Sequence, residues 1–290
     1  MKTIVFGANG QDGHYLVELL RRQDVEILGV SRAGPWHHAD VGDFSAVETL
    51  IRENEPDYIF HLAAQSTTSH EALFENHRTI STGTINVLEA AHRHCPEARV
   101  FITGSGVQFC NVGAALDENT PFEASSPYAI ARIQSVFAAR YYRSLGLRTY
   151  VGYLFHHESP RRPPKHLSRM IALGAQRIAN GSRERLTIGD PSVVKEWTFA
   201  GDVARAIVTL VHQDTVQEAV IGSGEGHSVE EWLECCFGLV GKAWRDHVDL
   251  IPGFSPEYTR LVSQPARLRS LGWSPMVDFQ TLAAMMMCRE

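Results

Sequence analysis

Thr3-Ile4-Val5-Phe6-Gly7-Ala8-Asn9-Gly10-Gln11-Asp12-Gly13-His14-Tyr15-Leu16-Val17-Glu18-Leu19-Leu20 stands near the amino terminus. An apolar run enters a GxxGxxG loop and an amphipathic stretch leaves it. A strand, a glycine turn and a helix amino terminus in that order make a pyrophosphate site. The glycines permit the tight turn and close approach of the backbone, while free N–H groups and the helix dipole favour anionic phosphate. Gly7, Asn9, Gly10, Gln11, Asp12 and Gly13 are therefore the candidate contacts. A lone glycine triplet is a weak signal, and its position between a strand pattern and a helical pattern makes it a strong one.

Working outward, apolar runs alternate with helical patterns. Val25–Val30, Tyr58–Leu62, Val100–Thr103 and Thr149–Leu154 read as strands. Asp43–Glu53, His77–His94 and Tyr128–Leu145 read as helices. This βαβα rhythm predicts an α/β, Rossmann-type, doubly wound parallel sheet with helices on both faces. Residues 1–155 are expected to form the NADP-binding core. Residues 156–290 are expected to form a smaller substrate lobe, with about 200–222 returning to the core. Within it Ser159–Pro164 reads as a loop, and Leu167–Ile178, Ala200–His212, Val229–Leu239 and Leu268–Leu271 as helical pieces.

The 290 residues are 44% hydrophobic and 21% charged, which describes a globular chain able to bury a real core. A net charge of −6 argues against a nucleic-acid binder, which needs a basic face. Five cysteines without CxxC spacing point to reduced thiols and a cytoplasmic protein. Met1–Phe6 reads as the first strand, leaving no room for a signal peptide. No apolar run approaches the ~20 residues that span a bilayer. The 14 histidines show no metal-ligand spacing, so no metal is expected.

Cofactor choice is read at the end of the second strand. An acidic residue there binds the ribose hydroxyls of NAD. Ser31 and Arg32 stand there instead and suit a 2′-phosphate, favouring NADP with NAD still possible; the alternative for Arg32 is a solvated charge. Asp40 and Val41 are placed to meet adenine. Leu62, Ala63 and Ala64 end the third strand with side chains that leave room for a cofactor.

Ser105 follows the fourth strand, and Tyr128-Ala129-Ile130-Ala131-Arg132 lies 23 residues on. Residues four apart share a helix face. A phenol of pKa about 10 needs a nearby cation to act near neutrality. Ser105, Tyr128 and Arg132 are thus candidate catalytic residues that move a proton at a substrate oxygen.

These residues resemble the extended short-chain dehydrogenase/reductases of the sugar-nucleotide epimerase and dehydratase group, in particular the GDP-mannose 4,6-dehydratases and GDP-4-keto-6-deoxymannose reductases. Gly10–Gly13, Leu62–Ser66, Ser126–Ala129 and His157-Glu158-Ser159-Pro160-Arg161-Arg162 carry the similarity, with Gly222–Val229 and Leu271-Gly272-Trp273 extending it. The resemblance implies that Gln65, Ser66, Val107, His157, Glu158, Arg161, Arg162, Lys195 and Trp197 form the substrate site. It also implies a nucleotide-linked, GDP-type sugar substrate and a homodimer or homotetramer.

Two departures matter. Val107 occupies the position of the dehydratases' glutamate base, and Arg132 replaces their lysine. Arginine keeps the charge but not the donor geometry. Thr103 competes with Ser105 for the catalytic hydroxyl. The expected function is an NADP-dependent oxidoreductase at C4 of a GDP-linked hexose or 4-keto-hexose, reductase or epimerase-like. One alternative is a 4,6-dehydratase with another base, Glu118 or Glu123. Another is a degenerate protein that binds nucleotide sugar or NADP without turnover.

Overall fold

The computed structural model describes residues 1–288. Seven strands form the main sheet: β1 (Lys2–Phe6), β2 (Glu26–Ser31), β3 (His37–His38), β4 (Tyr58–His61), β5 (Arg99–Ser105), β6 (Arg148–Leu154) and β7 (Glu218–Ile221). Their spatial order is β7-β6-β5-β4-β1-β2-β3, and every neighbouring pair is parallel. β1, β5 and β6 are nearly continuous apolar runs because both faces of a parallel sheet are covered. The chain leaves β1 for β2 on one side and returns to β4 on the other. That reversal opens a crevice at the carboxyl ends of β1 and β4, where such sheets bind ligands.

The covering helices are α1 (Gln11–Arg21), α2 (Phe44–Asn54), α3 (Gly83–His94), α4 (Pro127–Ser144), α5 (Leu167–Ala179), α6 (Ala200–Val211), α7 (Val229–Gly238) and α8 (Phe279–Met287). α1 and α6 pack on one face through Leu16, Val17, Leu20, Val203, Ile207 and Leu210. α2, α3 and α4 cover the other through Val47, Ile51, Val87, Leu88, Val136 and Ala139. α5, α7 and α8 enclose a separate core around Trp197, Trp232 and Phe237. Each set presents an apolar stripe at helical spacing, and burial of those stripes is the driving term.

Two elements differ from the sequence expectation. The helix expected over 77–94 starts at Leu73 and is not uniform: His77–Thr82 is π-helical before α3 begins. Such wide turns occur at functional sites, and Thr79 within this one lines a cavity described below. β5 runs on to Ser105, so that residue ends the strand rather than following it. α4 begins where expected because the Ser126 hydroxyl accepts from the Ala129 N–H at 3.1 Å and Pro127 fills the first turn. All five cysteines are unpaired. Among the described residues no helix is long and apolar enough to cross a membrane, and no cluster of metal-ligating side chains forms.

Candidate active site

Two cavities meet at Leu62 and Ala64 along the carboxyl edge of the sheet. The first, about 250 Å³, is lined by Gly7, Asn9, Gly10, Ser31, Arg32, Asp40, Val41, Ala63 and Thr79. The second, about 380 Å³, is lined by Asp12, Ser66, Ser105, Val107, Tyr128, Arg132, His157, Glu158, Arg162 and Lys195. Sequence-distant candidates are thus brought into one continuous cleft.

The glycine loop is shaped for close approach. Gly7 has φ +90°, its N–H donates to the Val30 carbonyl at 2.8 Å, and an added Cβ would lie 2.6 Å from the Ala63 nitrogen. Gly13 does not line the cleft. A Cβ there would lie 2.3 Å from the Gly7 carbonyl oxygen, so its role is to seat α1 against the loop. The missing side chains let the loop pack directly on the backbone around it, and the cleft runs from Ser31 past the loop to Tyr128.

At the far end of the first cavity the charges already have partners. Arg32 pairs with Glu75 at 2.6 Å on the rim. Asp40 pairs with Arg78 at 2.9 Å and accepts from the Gly42 N–H at 2.8 Å. Both side chains line the cavity as ion-paired groups.

In the second cavity Ser105 and Tyr128 face one space. The Thr103 hydroxyl donates to the His61 carbonyl at 2.8 Å, which commits it and leaves Ser105 as the serviceable hydroxyl. Arg132 is buried, and its guanidinium carbon lies 5.1 Å from the centre of the Tyr128 ring. Its Nη1 donates to the Thr103 carbonyl at 2.6 Å. Arginine here therefore ties α4 to β5 and holds a positive charge over the phenol face. Burial and then the Arg132 charge hold the neighbouring His61 neutral, at about 3.

A buried ionic network forms the wall opposite the loop in sequence. Glu158 accepts from Arg162 Nε at 3.0 Å and from the Ser168 hydroxyl at 2.7 Å. Burial raises this carboxyl, but the Arg162 and Lys195 charges and these hydrogen bonds hold it below its ordinary value. Lys195 sits 4.5 Å from the centre of the Trp197 ring, and burial pulls its ammonium down despite Glu158. His157 turns to Asp12 of α1, with Nε2 to Oδ1 at 2.8 Å.

Several expected site residues lie elsewhere. Trp197 is core: it stacks on Trp232 at 4.4 Å and its N–H donates to the His227 carbonyl at 3.0 Å. Arg161 and Gln65 are exposed and do not line the cleft, because adjacent residues in irregular backbone diverge. The Gln11 side-chain oxygen accepts from the Ser159 hydroxyl at 2.8 Å, and Gln11 does not line either cavity. Glu118 accepts from the Val220 N–H at 2.8 Å, with Arg267 at 3.7 Å, away from the cavity. Glu123 lines an adjoining recess beyond Val107. Neither is placed as a base in the main cavity.

The structure adds His156, His166, Glu257 and Tyr258 to that cavity. The His156 Nε2 is hydrogen-bonded to the Tyr258 hydroxyl. Burial, then the Lys195 and Arg162 charges, push His156 well down, and burial pushes the Tyr258 phenol up.

Comparison with known proteins now bears on this geometry. The family described as GDP-mannose 4,6 dehydratase matches residues 31–286. The chain belongs to the GDP-mannose 4,6-dehydratase family. GDP-mannose 4,6 dehydratase 2 of Arabidopsis thaliana is 31% identical over 98% of this chain and 85% of its own. The GDP-mannose 4,6-dehydratase of Vibrio cholerae is 26% identical over 100% of this chain and 93% of its own. Among solved structures, the UDP-glucose 4-epimerase of Thermus thermophilus in complex with NAD superposes with a TM-score of 0.85. It is 24% identical and covers 99% of this chain and 98% of its own. RMD of Pseudomonas aeruginosa complexed with NADPH gives 0.85 at 21% identity, covering 99% and 97%. The family is one of sugar-nucleotide dehydratases, and the chain is accordingly an enzyme of that family.

Proposed function

We propose that this GDP-mannose 4,6-dehydratase relative is an NADP-dependent oxidoreductase acting at C4 of a GDP-linked 4-keto-hexose. One observation carries the reading: Ser105 and Tyr128 share a cavity in which Val107 takes the place of an elimination base. A bound nicotinamide dinucleotide supplies the hydride. As the C4 oxygen gains negative charge, Tyr128 gives it a proton and Ser105 donates a hydrogen bond. The Arg132 charge over the ring stabilises the phenolate left behind. Val107 has no group that accepts a proton, and Glu118 and Glu123 lie outside the cavity, which favours reduction over dehydration.

Ser31 and Arg32 on the rim support NADP over NAD, with Arg32 leaving Glu75 for the 2′-phosphate. The relatives' names support a GDP sugar, with Arg162 and Lys195 as its anion partners. Residues 1–155, with 200–222, are assigned to cofactor binding, and the rest of 156–290 to substrate binding. Ile130, Phe137 and Tyr141, exposed on α4, support a homodimer through that helix. Five unpaired thiols support a cytoplasmic setting. The test supplies NADPH with a GDP-4-keto-6-deoxyhexose, and NADP with GDP-mannose. Reduced-nicotinamide absorbance falls in the first mixture and no 4-keto-6-deoxy product forms in the second. The reverse pattern identifies a dehydratase.

A further inference from the structure

The chain between β5 and α4 doubles back on itself. Phe109 pairs with Phe122 in an antiparallel bridge. The Cys110 N–H donates to the Pro121 carbonyl at 2.8 Å, and the Glu123 N–H donates to the Gln108 carbonyl at 2.8 Å. Asn111 Nδ2 ties this arm to the Arg260 carbonyl at 2.6 Å, and the Leu116 N–H donates to the Val262 carbonyl at 2.9 Å. The two arms and residues 256–261 thus frame a recess whose backbone walls are held in place. Its volume is about 410 Å³, against about 380 Å³ for the catalytic cavity.

This recess adjoins the chemistry. Val107, Tyr258 and Leu261 line both spaces. Val107 also indicates which part of a sugar lies at the boundary. A base for 4,6-elimination must reach the hydrogen on C5, the carbon between the C4 carbonyl that acidifies it and the C6 leaving group. Val107 holds that base's place. A sugar with its C4 oxygen at Ser105 and Tyr128 therefore turns C5, and whatever C5 carries, toward Val107 and the recess. Valine is shorter than glutamate and uncharged, so the boundary it makes is low and apolar.

Inside the recess, Asn111 is committed to Arg260, and the Tyr258 hydroxyl is committed to His156. The Glu123 carboxylate and the Ser125 hydroxyl line the recess without a partner among the described residues. A carboxylate accepts hydrogen bonds, does not donate, and repels a second anion. The group that fits beside it carries hydroxyl donors and is not itself a carboxylate.

We propose that this recess is a specificity subsite for a hydroxylated side chain of two or more carbons on C5, as in a nucleotide-linked 4-keto-heptose, with Glu123 and Ser125 as its hydrogen-bond partners. The proposal rests on the C4-reduction reading above and extends it to the size of the sugar. A hexose fills the catalytic cavity and ends at Val107. A heptose adds a C6 and a C7 hydroxyl beyond that boundary, and each that donates to Glu123 makes a charge-assisted bond. Glu123 and Ser125 are exposed, so these bonds replace bonds to water and the net gain is modest.

The test measures kcat/KM with NADPH, by loss of reduced-nicotinamide absorbance. The substrates are a GDP-4-keto-6-deoxyhexose and the GDP-4-keto-heptose of the same ring configuration. Wild type is expected to favour the heptose by roughly tenfold, the worth of one charge-assisted contact. Glu123→Leu removes the acceptor and Ser125→Phe fills the recess, and each is expected to bring the ratio to about one or below. The ratio is its own control, since general damage to the fold lowers both values together. A wild-type ratio of about one or below, or a ratio unchanged in both variants, overturns the proposal. Should one variant fail to fold, the wild-type ratio and the other variant decide. Turnover of the hexose with no gain for the heptose removes this proposal and leaves C4 reduction standing. Turnover of neither sugar removes both.

Discussion

The glycine loop and the wall built by residues 156–197 border one cleft but are made differently. The loop offers backbone: Gly7 and Gly10 line the cavity, and Gly13 seats the helix behind them. Its contacts are to backbone, reaching Val30 and Ala63 beside the neighbouring strands. The wall offers charged side chains that compensate one another, Glu158 and Lys195 buried and Arg162 half-buried. Its contacts reach 145 residues back, from His157 to Asp12. A backbone site is set by what the chain omits. An ionic wall is set by which charges are present, and loss of one member leaves the others uncompensated. On the proposed reading the cofactor side is thus generic, and the substrate side carries the particular chemistry.

The sharpest way to break the comparison is at the junction. Tyr128→Phe is expected to lower kcat roughly 10³-fold, the usual worth of a placed proton donor, and to leave NADPH affinity within about twofold. Retained turnover by steady-state kinetics would move the proton donor elsewhere in the wall. Next in size is Trp197→Phe. It shrinks the stack on Trp232 and takes away the N–H that the His227 carbonyl accepts, at a cost of about 2 kcal/mol in urea unfolding. The KM for the nucleotide sugar should stay within about threefold. A large KM rise with unchanged stability would return Trp197 to the substrate site. The smallest effect belongs to the rim. Arg32→Ala should weaken NADPH binding by about tenfold and spare NADH, as expected for one charge-assisted contact. Equal losses for both cofactors would mean that Arg32 does not meet the 2′-phosphate.

The two regions were also unequally legible. The loop, the parallel sheet and the Ser126-Pro127-Tyr128 helix start are local patterns, and local patterns survive in sequence. The HESPRR string marked its segment correctly, but not which way each side chain turns. His157 faces Asp12, 145 residues back, while Arg161 lies exposed outside the cleft. Lys195 and Trp197 read as one functional string, yet Trp197 lies beneath Lys195 in the third core. Glu118 and Glu123 were candidates by nearness in sequence, and space separates them from the cavity. Tyr258 sits in an irregular stretch without periodicity, so no signal announced its contact with His156.

The central claim is that a nicotinamide ring meets the C4 carbonyl of a sugar beside Tyr128. Incubation of the enzyme with NADPH carrying deuterium at the transferable position, and a GDP-4-keto-6-deoxyhexose, tests it directly. Mass and NMR analysis of the sugar should place one deuterium at C4. No deuterium at C4, or conversion of GDP-mannose with the transferred hydrogen found at C6, would contradict the account.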